Sequence, residues 1–531
     1  MSAVAFTAPH RRASEIGLAV LEEGGSAVDA MIAAAAAISV LYPHMNSLAG
    51  DGLWLIHSPG ERPQAIDACG TSARGASIER YRSQGESVIP SRGGGSALTL
   101  GGTISGWQRA RDIAAQKQAL LPLKDLLSPA IALAREGITI TDSLAAASHK
   151  VSSDLGDPTH PDYSEYQRIF TDASAPLTAG SVLTNPDLGA LLEHLGHAGL
   201  DSFYRGELAQ HLATELERAG SPIRASDLSG YQASVVTPLE INTRFGRCYN
   251  LPPPTQGLAS LLILALYDRV YSEKWSEAER VHALVEATKQ AFGVRDRELA
   301  DPTQMGCRPE HWLSEMELKA RAAQIGEQAQ PWPRPAEPGD TVWMGAKDKD
   351  GTMISFIQSI YWEFGSGLVL PETGLVWNNR GLSFSLDPKH RRALRPGIRP
   401  FHTLNPAMAL LEDGRRISYG CMGGEGQPQT QAALLTRYLY DEWPLHEAID
   451  RGRWLLGRTW GNSDDDLKLE QDLADSVGEN LALRGHQIKV VSRYSELMGH
   501  AGALVAMPNH RVTAASDPRS DGAGLVGKSR P

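Results

Sequence analysis

Apolar and polar positions follow two rhythms along this chain, and the changes of rhythm mark its elements. Over 12–23 hydrophobic residues recur at helical spacing, and the run breaks at Gly24-Gly25. Ser26 then stands where a helix cap belongs, ahead of VDAMIAAAAAISVLYPH, which is apolar all round and stops at Pro43. A helix with no polar face belongs between layers rather than on a surface. Strand-like runs follow at 53–58 and 64–67. From 105 to 300 the pattern is mostly helical, with helices expected at 123–135, 186–197, 206–218, 257–271 and 278–297. Residues 324–340 carry four prolines and no apolar period, which predicts a solvated break. Beyond it, 342–347 and 352–358 read as paired strands around Lys349-Asp350-Gly351. A three-residue loop closing on glycine supplies the left-handed residue that such a hairpin requires. It pairs Asp348 with Thr352, and counting outward sets Thr341 on or beside Ser359. Past the hairpin, 418–434 leads through a glycine-rich turn into a helix. Another helix is expected near 470–485, then a strand at 487–492 and a final one at 502–506.

Composition narrows the class. A hydrophobic fraction of 42% and a charged fraction of 21% suit a globular chain of 531 residues with a substantial core. The net charge of -11 argues against nucleic acid or an anionic membrane surface as partner. One basic cluster, KHRRALRPGIR at 389–399, reads either as a lid or, for Lys389, Arg391 and Arg392, as a solvated loop. Cys69, Cys248, Cys307 and Cys421 lie far apart without zinc or CxxC spacing, as expected of reduced thiols. The apolar run at 30–42 is 13 residues long, short of the roughly 20 a membrane span needs. The N-terminus has no secretory pattern, so the expectation is a soluble, cytoplasmic protein. No His/Asp/Glu cluster has metal-ligand spacing, and neither metal nor cofactor is expected.

Thr341 by itself reads as an ordinary strand opener, and CMGGEGQPQ as an ordinary strand-to-helix turn. Their surroundings add more. GDT, a strand, DKDG and a second strand resemble the autoprocessing centre of the γ-glutamyltransferase family, a branch of the N-terminal-nucleophile hydrolases. GGSAVDAMIAAAAAISVLYPH with SLAGDGLWLI, GGTISGWQRA at 101–110, LPPPTQGLASLLILAL at 251–266, EATKQAFGVRDRELADP at 286–302, SYGCMGGEGQPQTQAAL at 418–434 and TAASDPRSDGAG at 513–524 resemble further family segments. They occur in family order from about residue 13 to 523. The resemblance implies an α/β (α+β) fold, the four-layer αββα sandwich of that class. It implies a precursor that cuts itself between Asp340 and Thr341. Residues 1–340 then become a large subunit and 341–531 a small one, joined as a heterodimer or a dimer of heterodimers. Thr341 becomes the nucleophile, with Ser359 as supporting hydroxyl and Gly423 and Gly424 as oxyanion donors. The chemistry requires a new N-terminus, because a hydroxyl needs an adjacent base and an α-amine, with a pKa of ~7.7–8.0, provides one.

The family's glutamyl clamps are missing. Cys69 stands where relatives place an arginine for the α-carboxylate, and Ser383 where they place an acid for the α-amine. Tyr361 replaces an asparagine, His402-Thr403 a serine pair, and Val342-Trp343 smaller or polar residues. Trp343, Tyr361 and His402 are larger than what they replace, which predicts a shallow pocket for a small acyl group. Tyr361, His402, Thr403, Trp343 and Arg399 are the expected substrate contacts, with Arg380 a further candidate donor. These features resemble the family branch that hydrolyses oxamate to oxalate and ammonia in purine and ureide nitrogen salvage. A γ-glutamyltransferase or glutathione hydrolase, an acylase for other short acyl groups, and a catalytically silent binding protein are the alternatives.

Overall fold

The hairpin at 340–361 lies inside a sheet, and the other layers are arranged around it. The computed structural model describes residues 2–155, 163–172, 174–332, 340–457 and 466–530, with Asp340 described through its backbone alone. The strands of the two large sheets, in chain order, are β1 (Ala3–Ala8), β2 (Asp51–His57), β3 (Gln64–Asp67), β4 (Ser234–Val236), β5 (Leu239–Thr243), β6 (Gly246–Asn250) and β7 (Asp340–Lys347). They continue with β8 (Met353–Tyr361), β9 (Ala407–Leu411), β10 (Arg416–Cys421), β11 (Ala501–Ala506), β12 (Val512–Ser516) and β13 (Ala523–Lys528). Among the described residues, seven of these form one sheet in the order β13-β1-β7-β8-β2-β3-β4, and six form a second in the order β12-β11-β10-β9-β6-β5. Each sheet takes strands from both sides of residue 340. Residues 1–340 and 341–531 therefore both contribute to each of the two sheets.

Helices cover both outer faces. Against the first sheet lie α1 (Arg11–Glu22) and α2 (Ala27–Leu41). Ser26 Oγ accepts from Asp29 N at 3.0 Å while Asp29 returns a bond to Ser26 N, and every residue of α2 is buried. Against the second sheet lie α3 (Gly257–Val270), α4 (Glu277–Glu298) and α5 (Gln427–Leu439). The result is the αββα sandwich that the resemblance implies. Between the sheets sits a separate apolar layer that includes Leu53, Leu55, Trp343, Ile357, Met408 and Leu504. Trp343 decides its shape. Gly420 and Gly502 face each other across β10 and β11, and a Cβ on either would lie within 2.5 Å of the Trp343 ring. The paired glycines form a slot for the indole, whose Nε1 donates to Ser355 Oγ at 2.9 Å.

Several elements differ from the sequence expectation. The hairpin β5–β6 interrupts the stretch read as mostly helical; its burial alternates along LEINT, the strand rhythm. Residues 502–506 are not the last strand, because β12 and β13 follow and β13 reaches back to pair with β1. The basic cluster is neither lid nor solvated loop at two of its residues. Arg391 Nε donates to Arg297 O at 2.9 Å and Arg392 Nε to Leu299 O at 2.9 Å, so both cap the C-terminal end of α4, where cations are favoured. The solvated break is tied down over its first part: Lys289 Nζ donates to Gln330 O at 2.6 Å and Ala329 N to Arg484 O at 2.8 Å. Residues 333–339 lie outside the described residues.

Candidate active site

Thr341 is fully buried near the start of β7. The hairpin closes as its spacing predicts, with Asp348 N donating to Thr352 O at 3.1 Å. Val342 pairs with Gln358 and Asp340 with Tyr361, so Ser359 and Ile360 together oppose the single Thr341. A bulge of this kind re-aims the side chains beside it. It also leaves Tyr361 at φ 84, a left-handed conformation that costs a bulky residue energy. Its backbone N donates to Ser359 Oγ at 2.8 Å, which helps to hold it there.

The glycine turn approaches from the other sheet. Gly423 (φ 125) and Gly424 (φ 51) take conformations that glycine alone adopts freely, and α5 starts three residues later. Gln256 Nε2 clamps this turn to the neighbouring loop by donating to Gly424 O at 2.8 Å and to Thr403 O at 2.6 Å. Arg295 of α4 donates to Gln256 Oε1 at 3.4 Å and pairs with Glu425 at 2.6 Å. Gln427, the first residue of α5, donates from Nε2 to Thr341 Oγ1 at 3.4 Å. The turn thus opens onto the threonine hydroxyl. Sequence reasoning assigned Gly423 and Gly424 of this turn as oxyanion donors but missed Gln427, one of three glutamines in the first five residues of α5, which gave no signal of its own.

Arg380 is the main positive charge of the site. It is 1% exposed, and its Nη1 donates to Thr403 Oγ1 at 3.0 Å and its Nη2 to Ser359 Oγ at 3.2 Å. The guanidinium lies 4.0 Å from the Tyr361 ring centroid, while its Nε is buried without a hydrogen-bond partner among the described residues. Burial lowers its pKa from the ordinary arginine value. No described carboxylate forms an ion pair with it. Asp51, whose charge it feels, instead accepts from Gly70 N at 2.7 Å and from His402 at 2.8 Å. A guanidinium desolvated against hydroxyls and a ring costs several kcal/mol until an anion joins it.

Two of the expected substrate contacts are engaged within the fold. His402 Nδ1 accepts from Leu404 N at 3.3 Å, which places the ring proton on Nε2, donated to Asp51. Burial, with the Arg380 charge adding to it, lowers its pKa to about 4. A neutral ring with both nitrogens engaged has no donor left for substrate. Trp343 occupies the inter-sheet slot described above, where Gly420 and Gly502 make room for the indole. Arg399 is paired with Asp67 and with Asp301 (3.4 Å), so two acids already compensate its charge. It borders a cleft of about 380 Å³ with Asp67, Cys69, Arg74 and Tyr231. Thr403 and Tyr361 stay within the Arg380 shell. The fold also gathers Asp51, Cys69 and His402, whose donor atoms lie within 4.8 Å of one another, a grouping no spacing revealed. The Asp51–His402 bond and the neighbouring guanidinium both work against a cation there.

The family described as gamma-glutamyltranspeptidase matches residues 13–527. The chain belongs to this family. It is 49% identical over 522 residues, 97% of both chains, to the oxamate amidohydrolase proenzyme of Klebsiella pneumoniae. It is 35% identical to the glutathione hydrolase-like YwrD proenzyme of Bacillus subtilis, again over 97% of both chains. Among solved structures, cephalosporin acylase from Bacillus halodurans aligns with a TM-score of 0.90 at 30% identity, covering 100% of this chain and 96% of that one. The N-terminal-nucleophile hydrolase fold and the hydrolase class follow. Among the described residues, no helix is long and apolar enough to cross a membrane.

Proposed function

We propose that this protein is a self-cleaving amidohydrolase that converts oxamate to oxalate and ammonia. The observation that carries the substrate is Arg380: a buried guanidinium without a described acid partner, joined to Ser359 and Thr403 beside the nucleophile. Oxamate places a carboxylate one bond from its amide carbon, so one cation close to the threonine can hold it. A glutamyl group instead needs distant clamps for a carboxylate and an amine, and Cys69 and Ser383 supply neither charge.

In the precursor, Thr341 Oγ1 attacks the Asp340 carbonyl carbon, the peptide C–N bond breaks, and water hydrolyses the resulting ester. This frees residues 1–340 as large subunit and 341–531 as small subunit, held together as a heterodimer by their shared sheets. In the mature enzyme the Thr341 α-amine takes the hydroxyl proton as Oγ1 bonds to the amide carbon of oxamate. The Gly423 and Gly424 N–H groups hold the oxyanion. The proton passes to the leaving nitrogen, the C–N bond breaks and ammonia departs. Water, deprotonated by the same amine, then cleaves the oxalyl ester and restores the hydroxyl. Unpaired Cys69, Cys248, Cys307 and Cys421 suit a reducing compartment, which supports a cytoplasmic place in purine and ureide nitrogen salvage.

The second reading is an amidase for another short acyl group, favoured by the 30% identity to cephalosporin acylase from Bacillus halodurans. The test measures ammonia release from oxamate beside release from glutaryl and γ-glutamyl amides, with N-terminal sequencing of the smaller fragment. The expected start is TVWMG and the expected preference is oxamate. Thr341→Ala should leave one uncut chain. A different start, or stronger turnover of the γ-glutamyl amide, removes the proposal.

A further inference from the structure

The geometry points to Gln427 as a catalytic donor to Thr341 Oγ1, with Asn405 and Ser260 as the residues that fix its polarity. This rests on Thr341 being the nucleophile. A carboxamide can present either its oxygen or its nitrogen, and which one faces the threonine follows from the bonds at its other end. Asn405 Nδ2 donates to Gln427 Oε1 at 3.0 Å and to Thr403 O at 2.9 Å. Asn405 Oδ1 in turn accepts from Ser260 Oγ at 2.8 Å. A hydroxyl donor and a carbonyl acceptor settle the Asn405 amide, and Asn405 then settles Gln427. Nε2–H is therefore the group offered to Thr341. All four side chains are buried, so water does not compete for these bonds.

The placement suits one step in particular. When water attacks either ester, Oγ1 is the departing oxygen and gathers negative charge as its bond to the acyl carbon breaks. A donor already aimed at Oγ1 stabilises that charge, and the bond of 3.4 Å has room to shorten as charge develops. The Thr341 ammonium delivers the proton; Gln427 keeps its own. The same donor serves precursor cleavage and substrate turnover, since both pass through an ester on Oγ1.

Two variants test this. Gln427→Met removes the donor at similar volume, and Gln427→Glu turns it into an acceptor with a charge. For Gln427→Met, kcat for ammonia release from oxamate should fall at least ~10-fold, and since slowed ester breakdown lowers KM in step with kcat, kcat/KM should change less than ~2-fold. The small subunit should carry a stable oxalyl adduct by mass spectrometry. Gln427→Glu should also slow turnover and move the acid limb of the kcat/KM profile to higher pH, because a carboxylate beside the α-amine favours its charged form. Self-cleavage is followed on gels without substrate and should slow in both variants, so this arm reads Gln427 even if oxamate proves to be the wrong amide. Cleavage and turnover within ~2-fold of the parent in either variant overturn the inference. Slower turnover without ester accumulation overturns the assignment to ester breakdown.

Discussion

Replacing Arg380 with methionine separates binding from stability in a way the structure lets us work out. A bidentate guanidinium–carboxylate contact contains two charge-assisted hydrogen bonds at ~1.5–3 kcal/mol each. Losing both costs ~3–6 kcal/mol, and at ~1.36 kcal/mol per tenfold kcat/KM for oxamate should drop between about 10² and 10⁴. The folding side behaves differently. The variant loses bonds to Thr403 and Ser359 and the cation–ring contact with Tyr361, about 1 kcal/mol for each bond and ~2 for the ring. It also sheds a desolvation cost of several kcal/mol. These nearly cancel, so Tm should stay within a few degrees while activity collapses. Arg380→Lys should fall between, keeping the charge but not the fork. The assay is ammonia release from oxamate and from glycolamide, a neutral two-carbon amide, with self-cleavage checked on a gel. A kcat/KM for oxamate within ~3-fold of the parent refutes the reasoning. So does an equal loss on glycolamide, since a residue that binds a carboxylate cannot matter to a substrate without one.

Gly420→Ala would place a Cβ 2.1 Å from Trp343 Cδ1, so it should destabilise the fold by ~1–3 kcal/mol, read as a lower urea midpoint; an unchanged midpoint would mean the indole lies elsewhere. Stability should also fall with acid. Burial holds His44 at about 3 and His402 and His500 at about 4, against 6.5 unfolded, so between pH 6.5 and about 4 the unfolded chain binds more protons and stability declines as pH drops. At pH 5 each contributes a loss of about 2 kcal/mol. Urea midpoints at pH 7.5 and 5.0 measure it, and equal midpoints contradict it.

What the sequence disclosed and what it withheld divide along a physical line. The hairpin was legible because Lys349-Asp350-Gly351 admits few backbone solutions, and its register then brought Thr341 opposite Ser359 by counting. The capped, all-apolar α2 was legible for the same reason, since Ser26 marks an end and the alanines leave no wet face. β5 and β6 were lost because each is five residues long and lies between stronger helical runs. Direction was harder than position. Trp343 is two residues from Thr341 and larger than the family residue it replaces, which made it look like pocket lining. Its destination depends instead on Gly420 and Gly502, seventy-seven residues and more away in the chain.

Arg380 shows the limit most clearly, and it also ties the site together. An arginine in NNRGLSFS is visible to any reader, but its importance lies in the acids that do not pair with it. Asp51 could have neutralised it; His402, kept uncharged by burial, takes that carboxylate instead. Asp67 and Asp301 are likewise committed to Arg399. Among the described residues, Asp51, Asp67 and Asp301 are thus assigned elsewhere, and on the proposed function Arg380, which touches Ser359, keeps its charge for the ligand. On this reading His402, expected to bind substrate, acts one step back: its neutrality and its bond to Asp51 preserve the charge that Arg380 offers. His402→Gln, which can still donate to Asp51, should therefore retain far more oxamate turnover than His402→Leu, which releases that carboxylate toward Arg380. Equal activity in the two variants would show that the Asp51 bond has no part in selecting the substrate.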